Sequence, residues 1–412
     1  MIDAFATIKD AIDPATAQYK NRQVDMDQFN SFTSELRLSH QYRLGTMSGV
    51  LVGGVQVMNN DLNRKQLGKG TTGSDYDLTL VVADDWGRDM HFRTKNVALF
   101  VENLLYISPK LSISPGFRLE NGHTDFSGYI RYLKPENVPN TIRHRFPLFG
   151  ISAQYRLDQE NRLYGGFSQA YRPVILKDII PASVLERADK NLKDADGYNA
   201  EIGLSGHKGK LHYDLSAFMV QYNNRLGSLI LNDPDGTAYI FRTNIGDSRT
   251  KGVEAYVEYE FVRSNKTRFS AFTSTAYMDA HYVKGSVSNG KENQSIKGNK
   301  VESVPEWTSR NGLEFNHRWL SATLLYSYVS SSFADAFNTV LPTANGAKGS
   351  VPGYGLVDLN TTLHLTGRYT VRLGINNMFN NHYFTKRPTF YPGPGIWPSD
   401  GRSVVVTIGV KL

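Results

Sequence analysis

The chain has no cysteine, so neither a disulfide framework nor a thiolate metal site is open to it. It has no run of ~18 apolar residues, which excludes helical membrane spans. Its ten histidines stand alone. Ser, His and Asp residues are scattered without a nucleophile elbow or a metal-ligand spacing, so the sequence points away from an enzyme and implies no cofactor and no metal. Neither charge sign forms a block. The 46 Lys and Arg are interspersed with 39 Asp and Glu for a net charge of +7. That pattern excludes a nucleic-acid tail and mildly favours an anionic ligand. Met1 to Phe5 carry neither a basic region nor an apolar core, so no signal peptide is read there. No composition shift divides the 412 residues, and one large β domain is expected.

What the sequence does have is alternation. Val357, Leu359, Thr361, Leu363 and Leu365 alternate with Asp358, Asn360, Thr362 and His364. Tyr369 to Asn376 and Ser403 to Leu412 do the same. Farther upstream, Val253, Ala255, Val257, Tyr259 and Phe261 alternate with Glu254, Tyr256, Glu258 and Glu260. Each run reads as a strand with one apolar and one mostly polar face. A row of glutamates on one face is costly unless that face sees water. Runs of about ten residues at a tilt near 45° cross a bilayer, and a barrel needs only every second residue to be apolar. The 23 Tyr and 21 Phe suit interfacial girdles.

Connections alternate between short turns and long loops, the habit of outer-membrane barrels. Short turns are expected at Gly45, Ser108–Lys110, Asp158–Asn161, Lys208-Gly209, Ser264–Lys266, His317-Arg318 and Thr366–Arg368. Long loops are expected at Asn60–Met90, between Arg172 and Ala195, over Arg225–Asp247 with a small hairpin, and later at Lys284–Val304 and Phe333–Tyr354. The reading is an all-β, antiparallel transmembrane barrel of about fifteen strands. Residues 1–30 are expected to be irregular extracellular loop, and 31–412 to be the barrel portion. An odd count makes the first and last strands parallel, so the ring is expected to be incomplete, with Ser31–Leu44 unpaired or forced against Val404–Leu412.

Particular residues carry a resemblance. Gly374-Ile375-Asn376-Asn377-Met378-Phe379-Asn380-Asn381-His382-Tyr383, followed by Gly401-Arg402 and a final strand, resembles the C-terminal ending of TonB-dependent outer-membrane receptors. Gly166-Phe167-Ser168-Gln169-Ala170-Tyr171-Arg172-Pro173 is similar to a mid-barrel segment of that family, and Gly252-Val253-Glu254 to one of its strand starts. Ser331–Thr339 with Val351–Tyr354 resembles the ferric-citrate branch. Leu412 departs from the usual terminal aromatic.

The resemblance implies a 22-stranded barrel in a Gram-negative outer membrane, of which this chain holds the C-terminal ~15 strands without the N-terminal plug domain. It implies uptake of a ferric chelate, ferric citrate or another siderophore complex. Energy would come from a TonB–ExbB–ExbD complex acting on an N-terminal part that this sequence does not show. A receptor for sugar, cobalamin or peptide shares the same barrel. The rivals from other classes are a passive porin or structural barrel and a soluble β enzyme.

Ligand-binding candidates lie on the long loops. Arg172 opens one of them, where a guanidinium fork suits a carboxylate or an anionic iron chelate. A generic strand-exit role is the plainer reading. Lys177, with Arg187, Lys190 and Lys193, makes the same loop basic. Lys386 and Arg387 do so for the last loop, where Phe390, Tyr391 and Trp397 wall a vestibule or join the outer girdle. Contact with lipopolysaccharide phosphates is the other reading of these charges. Asp75, Asp77, Asp84, Asp85 and Asp89 lack calcium-loop spacing and read as solvated loop.

Overall fold

The computed structural model describes residues 2–72, 77–135, 141–181, 183–388 and 394–411. Sixteen strands follow one another as a meander among the described residues. They are β1 (Ile2–Asp13), β2 (Gln18–Leu44), β3 (Met47–Lys69), β4 (Arg88–Tyr106), β5 (Leu111–Ile130), β6 (Thr141–Arg156), β7 (Arg162–Arg172) and β8 (Ala195–Lys208). Then come β9 (Leu211–Asn232), β10 (Ala238–Arg263), β11 (Thr267–Ser288), β12 (Trp307–His317), β13 (Leu320–Val329), β14 (Tyr354–His364), β15 (Tyr369–Asn376) and β16 (Ser403–Val410). Each pairs antiparallel with its successor.

The short turns fall where the sequence places them. Gly45 and Gly209 take φ of 61° and 62°, the positive values that a two-residue hairpin demands and glycine adopts at no steric cost. All seven short turns lie at one end of the sheet, and the long loops lie at the other.

The two faces sort as the alternation requires. Leu99, Val101, Phe149, Ile151, Ile202, Val253 and Leu313 are apolar yet exposed, which marks a surface that meets lipid rather than water. The opposite face buries Glu120, Glu258, Glu260 and Ser270. Tyr155, Tyr259, Trp319 and Tyr369 ring the turn end of the exposed face. No central core forms among the described residues. The buried apolar clusters are small and sit near the loop end: Ala280, Tyr282, Ile296 and Val301; Val24 and Trp86; Met90, Phe92 and Ile130.

Three expectations are corrected. Residues 1–30 are not irregular: Ile2–Asp13 and Gln18–Leu44 form a hairpin, from Ile2 opposite Gln28 to Asp13 opposite Gln18. Asn60–Met90 is not all loop, because β3 runs on to Lys69 and β4 begins at Arg88. Arg225–Asp247 is mostly strand, closed by a turn at 233–237, and its small hairpin (Leu229 opposite Phe241, Leu231 opposite Tyr239) caps a longer ladder. The cause is the same in each case. These strands leave the hydrocarbon layer and continue into water, where both faces tolerate polar residues and the alternation cue disappears.

From Gln18 onward the strand count is the expected fifteen, and β1 adds one more. β2 and β16 both run from the loop end to the turn end. Ser31–Leu44 pairs with β3 on one side, whereas the described β1 ladder on the other side reaches only Gln28. Phe32, Leu36 and Leu38 along that edge are 65%, 60% and 68% exposed. Among the described residues β16 pairs with β15 and with no second strand.

Candidate functional site

The loop end holds the basic candidates, and most of them are engaged. Arg172, the last residue of β7, donates to Asp178 at 2.9 Å. The Asp178 carboxylate also accepts the Ile175 amide at 2.9 Å, so it ties the short helix Leu176–Ile179 back to the strand exit. Arg187 pairs with Asp233 through both guanidinium nitrogens and lies over the Tyr239 ring, 3.9 Å from its centroid. This pair holds Asp233 below the usual carboxylate range, by hydrogen bonding first and charge second. It joins the loop after β7 to the β9–β10 hairpin, and the segment Glu186–Ala188 adds a short parallel ladder to Ile240–Arg242. Burial pushes the Asp194 carboxyl up, against the Val174 amide that it accepts at 2.6 Å.

The last loop is a second cluster. Phe384–Lys386 pairs with Trp397–Pro398. The Lys386 ammonium stands 6.0 Å from the Trp397 ring centroid, a cation–π contact at an exposed site. Arg387 is a strut: it donates to the carbonyls of Ser350 at 3.0 Å and Gly346 at 2.8 Å and stacks on Phe384. The structure thus brings Lys386, Arg387 and Trp397 together and places Arg172 on a different loop. The Lys177 side chain, Phe390 and Tyr391 lie outside the described residues.

The acidic residues of the loop after β3 and the start of β4 are a set of counter-ions. Asp77 binds Arg22, Asp85 binds Arg131, and Asp84 and Asp89 each stand 3.7 Å from Lys65. Asp77 is lowered to about 2, first by the Thr79 amide and only later in rank by Arg22. Asp75 lies outside the described residues. No group of three or more metal-capable carboxylates and imidazoles gathers among the described residues.

Sequence reasoning missed how the inward wall is wired. The Phe100 ring lies between two guanidiniums, with Arg37 at 5.6 Å and Arg118 at 5.7 Å from its centroid. Arg118 donates to Gln56 at 2.9 Å and to Glu120 at 2.5 Å; Gln56 and Arg37 donate to Glu35. Farther round, a concavity of about 1030 Å³ is lined by Tyr164, Glu201, Asp214, Glu254, Arg310 and Asp358, among others. Tyr164 donates to Asp214 at 2.6 Å. The signal for these residues was in the sequence: they occupy the polar positions of the alternation. A wall of solvated, fixed dipoles and charges suits a lumen that holds a polar occupant.

Comparison with known proteins follows from this geometry. A family model described as TonB dependent receptor-like, beta-barrel matches residues 4–378. The metal-pseudopaline receptor CntO of Pseudomonas aeruginosa is 22% identical over 336 residues, 78% of this chain and 42% of that protein. The ferripyoverdine receptor of the same species is 22% identical over 240 residues, 57% of this chain and 27% of that one. The unliganded ferric citrate transporter FecA superposes with a TM-score of 0.73 at 19% identity, covering 95% of this chain and 57% of FecA. The siderophore receptor PiuA of Acinetobacter baumannii gives 0.70 at 16%, with the same coverage. The chain spans about half the length of these relatives.

Proposed function

We propose, for a chain that belongs to the TonB-dependent receptor-like β-barrel family, that it forms the barrel wall of an outer-membrane receptor taking up a ferric chelate. The observation that carries this reading is the family match over residues 4–378, on a sheet with an apolar outer face and a polar inner one. Basic loops at one end suit an anionic chelate, by steering more than by contact. The relatives' names support the cargo class: one binds metal-pseudopaline and one ferripyoverdine, and FecA transports ferric citrate. In this reading the wall sits in the outer membrane of a Gram-negative cell, amid lipid and lipopolysaccharide, and transport draws on a TonB–ExbB–ExbD complex. The protein's work is binding and transport rather than catalysis.

Within the site, Lys386 with Trp397 is the pair assigned to face a ligand, and Lys177 and Tyr391 are proposed as further ligand contacts. Arg172 and Arg387 brace the loops, because their guanidiniums are spent on Asp178 and on the Ser350 and Gly346 carbonyls. The test is uptake of radioactive iron presented as ferric citrate, a hydroxamate or a catecholate to iron-starved cells, with and without the gene. The reading expects deletion to abolish uptake of one chelate class, and collapse of the proton-motive force to do the same in the parent. Uptake unchanged by deletion overturns it. Uptake that needs the gene but survives collapse of the proton-motive force points to a passive pore.

A further inference from the structure

The ladder between β6 and β7 gives out partway up the wall, and side chains take over. It runs from Arg156 opposite Arg162 to Gly150 opposite Ser168 and stops there. β6 continues to Thr141 beside β5, and β7 continues to Arg172 beside β8. In the same register Phe149 would next face Gln169, and Pro147 would face Tyr171. The backbone groups of alternate β6 residues point at β7. Phe149 is one of these, and its amide donates to the Gln169 side-chain oxygen at 2.9 Å. Pro147 is the next, and it has no N–H to give. The ladder therefore ends for a local reason.

Rings fill the gap. Phe146 stacks on Tyr171 with centroids 3.9 Å apart, and His144 stands 6.2 Å and 6.5 Å from the two. By alternation Phe146 belongs to the inward face of β6, and Tyr171, like Phe167, to the outward face of β7. The pair thus meets across the seam. In the adjoining row Asn96 lies opposite Gly122, and Gly122 opposite His144. There Nδ1 of His144 and Oδ1 of Asn96 are buried without a hydrogen-bond partner. The seam lies at membrane depth. Phe149 is six residues and Pro147 eight above Tyr155 of the turn-end girdle. At about 3.4 Å per residue and a tilt near 45° that is ~14–19 Å, inside an apolar band about 25 Å tall. A luminal cavity of about 680 Å³, with Arg37, Arg118 and Glu201 in its wall, reaches Phe149 and Gln169. On the other side Phe149 and Ile151 are 56% and 50% exposed. The Gln169 contact and the Phe146–Tyr171 pair stand between a polar cavity and lipid.

We propose that this seam is a lateral slot for the hydrocarbon tail of an amphiphilic ferric chelate. The chelating head sits in the luminal cavity, and the tail passes between Phe149 and Gln169 into lipid. Rotamer changes at Gln169 and Tyr171 open the slot without breaking a ladder, which side chains can do far faster than strands can part. Moving the rings also uncovers His144 and Asn96, whose unpartnered atoms then have the head to bond. The inference deepens the ferric-chelate reading of the previous subsection and rests on it.

The test gives iron-starved cells radioactive ferric citrate, a ferric hydroxamate and a ferric catecholate, each with and without a dodecyl tail. Because the chain has no cysteine, one disulfide can bolt the seam. Leu148→Cys/Ala170→Cys places it where the two residues would face each other in the continued register. The control bolt, Arg156→Cys/Arg162→Cys, joins a pair that the ladder already holds together. Pro147→Val closes the seam differently, by restoring the missing donor. The slot predicts that the oxidised seam bolt slows uptake of the tailed chelate at least tenfold, and that reduction restores it. Uptake of the plain chelate is expected to stay within about twofold of the parent. Pro147→Val is expected to slow the tailed form alone, several-fold, and the control bolt to change neither. A diazirine at the end of the tail is expected to mark Phe149, Ile151 or Gln169 in the parent, as read by mass spectrometry. Tailed uptake equal in the parent and both seam variants overturns the slot, as does marking spread around the whole lipid face. Loss of both chelate forms in the seam variants, or of the tailed form in the control, reduces the effect to barrel damage and also overturns it. A parent that takes up the plain chelate and never the tailed one removes the slot and leaves the chelate reading intact. A parent that takes up neither overturns both.

Discussion

Gly54 on β3 lies beneath the Phe100 ring of β4: a Cβ on Gly54 would stand 2.6 Å from Phe100 Cζ and 2.4 Å from the Leu36 carbonyl oxygen. The two residues are direct ladder partners, and the ring fills the space that a side chain would take. Gly54→Ala is expected to destabilise the sheet by about 1–3 kcal/mol, as overpacking does. Adding Phe100→Ala is expected to recover only part of that, because the clash with the Leu36 backbone stays. Urea unfolding in detergent micelles, followed by the loss of β-sheet circular dichroism, reads both variants.

The Arg118–Glu120 pair sits on the same wall. Glu120 is 5% exposed and takes hydrogen bonds from Arg118 and Asn96, each at 2.5 Å. Glu120→Gln retains the shape and removes the charge, so it leaves a guanidinium short of its partner. The expected cost is about 1–3 kcal/mol. Glu35→Gln, at the exposed Arg37 pair, is expected to cost less than about 1 kcal/mol. Equal losses in the same urea titration would contradict the ranking.

Asp77 gives a pH signature. Its folded value, about 2, lies below the unfolded one of 3.8. Its contribution is therefore complete above pH ~4 and is lost as pH falls through about 2. The protection of the Arg22 and Gly70 amides, which hold this loop to β2, taken as exchange relative to its intrinsic rate at each pH, is expected to be high at pH 4.5 and to drop near pH 2. Asp77→Asn is expected to remove that pH dependence. A drop in protection already at pH 5 would contradict the assignment.

Sequence and structure agree most closely where lipid disciplines the pattern. The alternation of Val253 and Glu254, the Gly45 and Gly209 turns and the three C-terminal strands were all legible, because one face of each must be apolar. Strand extents were not. β2 spans 27 residues and β3 spans 23, and outside the bilayer nothing in their composition distinguishes a two-sided polar strand from a loop. β1 was lost for the same reason. Of the candidate site, the positions of the basic residues were legible and their engagement was not. Arg172 finds Asp178 six residues on, across a turn and a helix start, and Arg387 finds two carbonyls nearly forty residues upstream. Neither spacing is a periodic one.

Arg172 and Asp178 make a discriminating pair of variants. If Arg172 braces the loop, Arg172→Gln and Asp178→Asn are expected to do the same thing. Each should speed proteolysis of residues 173–194 several-fold and leave chelate affinity within about twofold. If Arg172 binds the ligand, Asp178→Asn frees the guanidinium and raises affinity while Arg172→Gln lowers it. Lys386→Gln is expected to weaken binding of an anionic chelate by about threefold to tenfold, in keeping with roughly 1 kcal/mol for one exposed charge.

The central claim is that alternate residues of these strands face lipid and a wet lumen, and adjacent positions on β10 test it most directly. Single Cys substitutions at Val253 and Glu254, each carrying a nitroxide label, are to be read by power-saturation spectroscopy in native membranes. The account predicts that the label at 253 is relaxed by oxygen, which partitions into lipid, and that the label at 254 is relaxed by a water-soluble nickel chelate. The reverse assignment, or equal access of the nickel chelate to both positions, would contradict it.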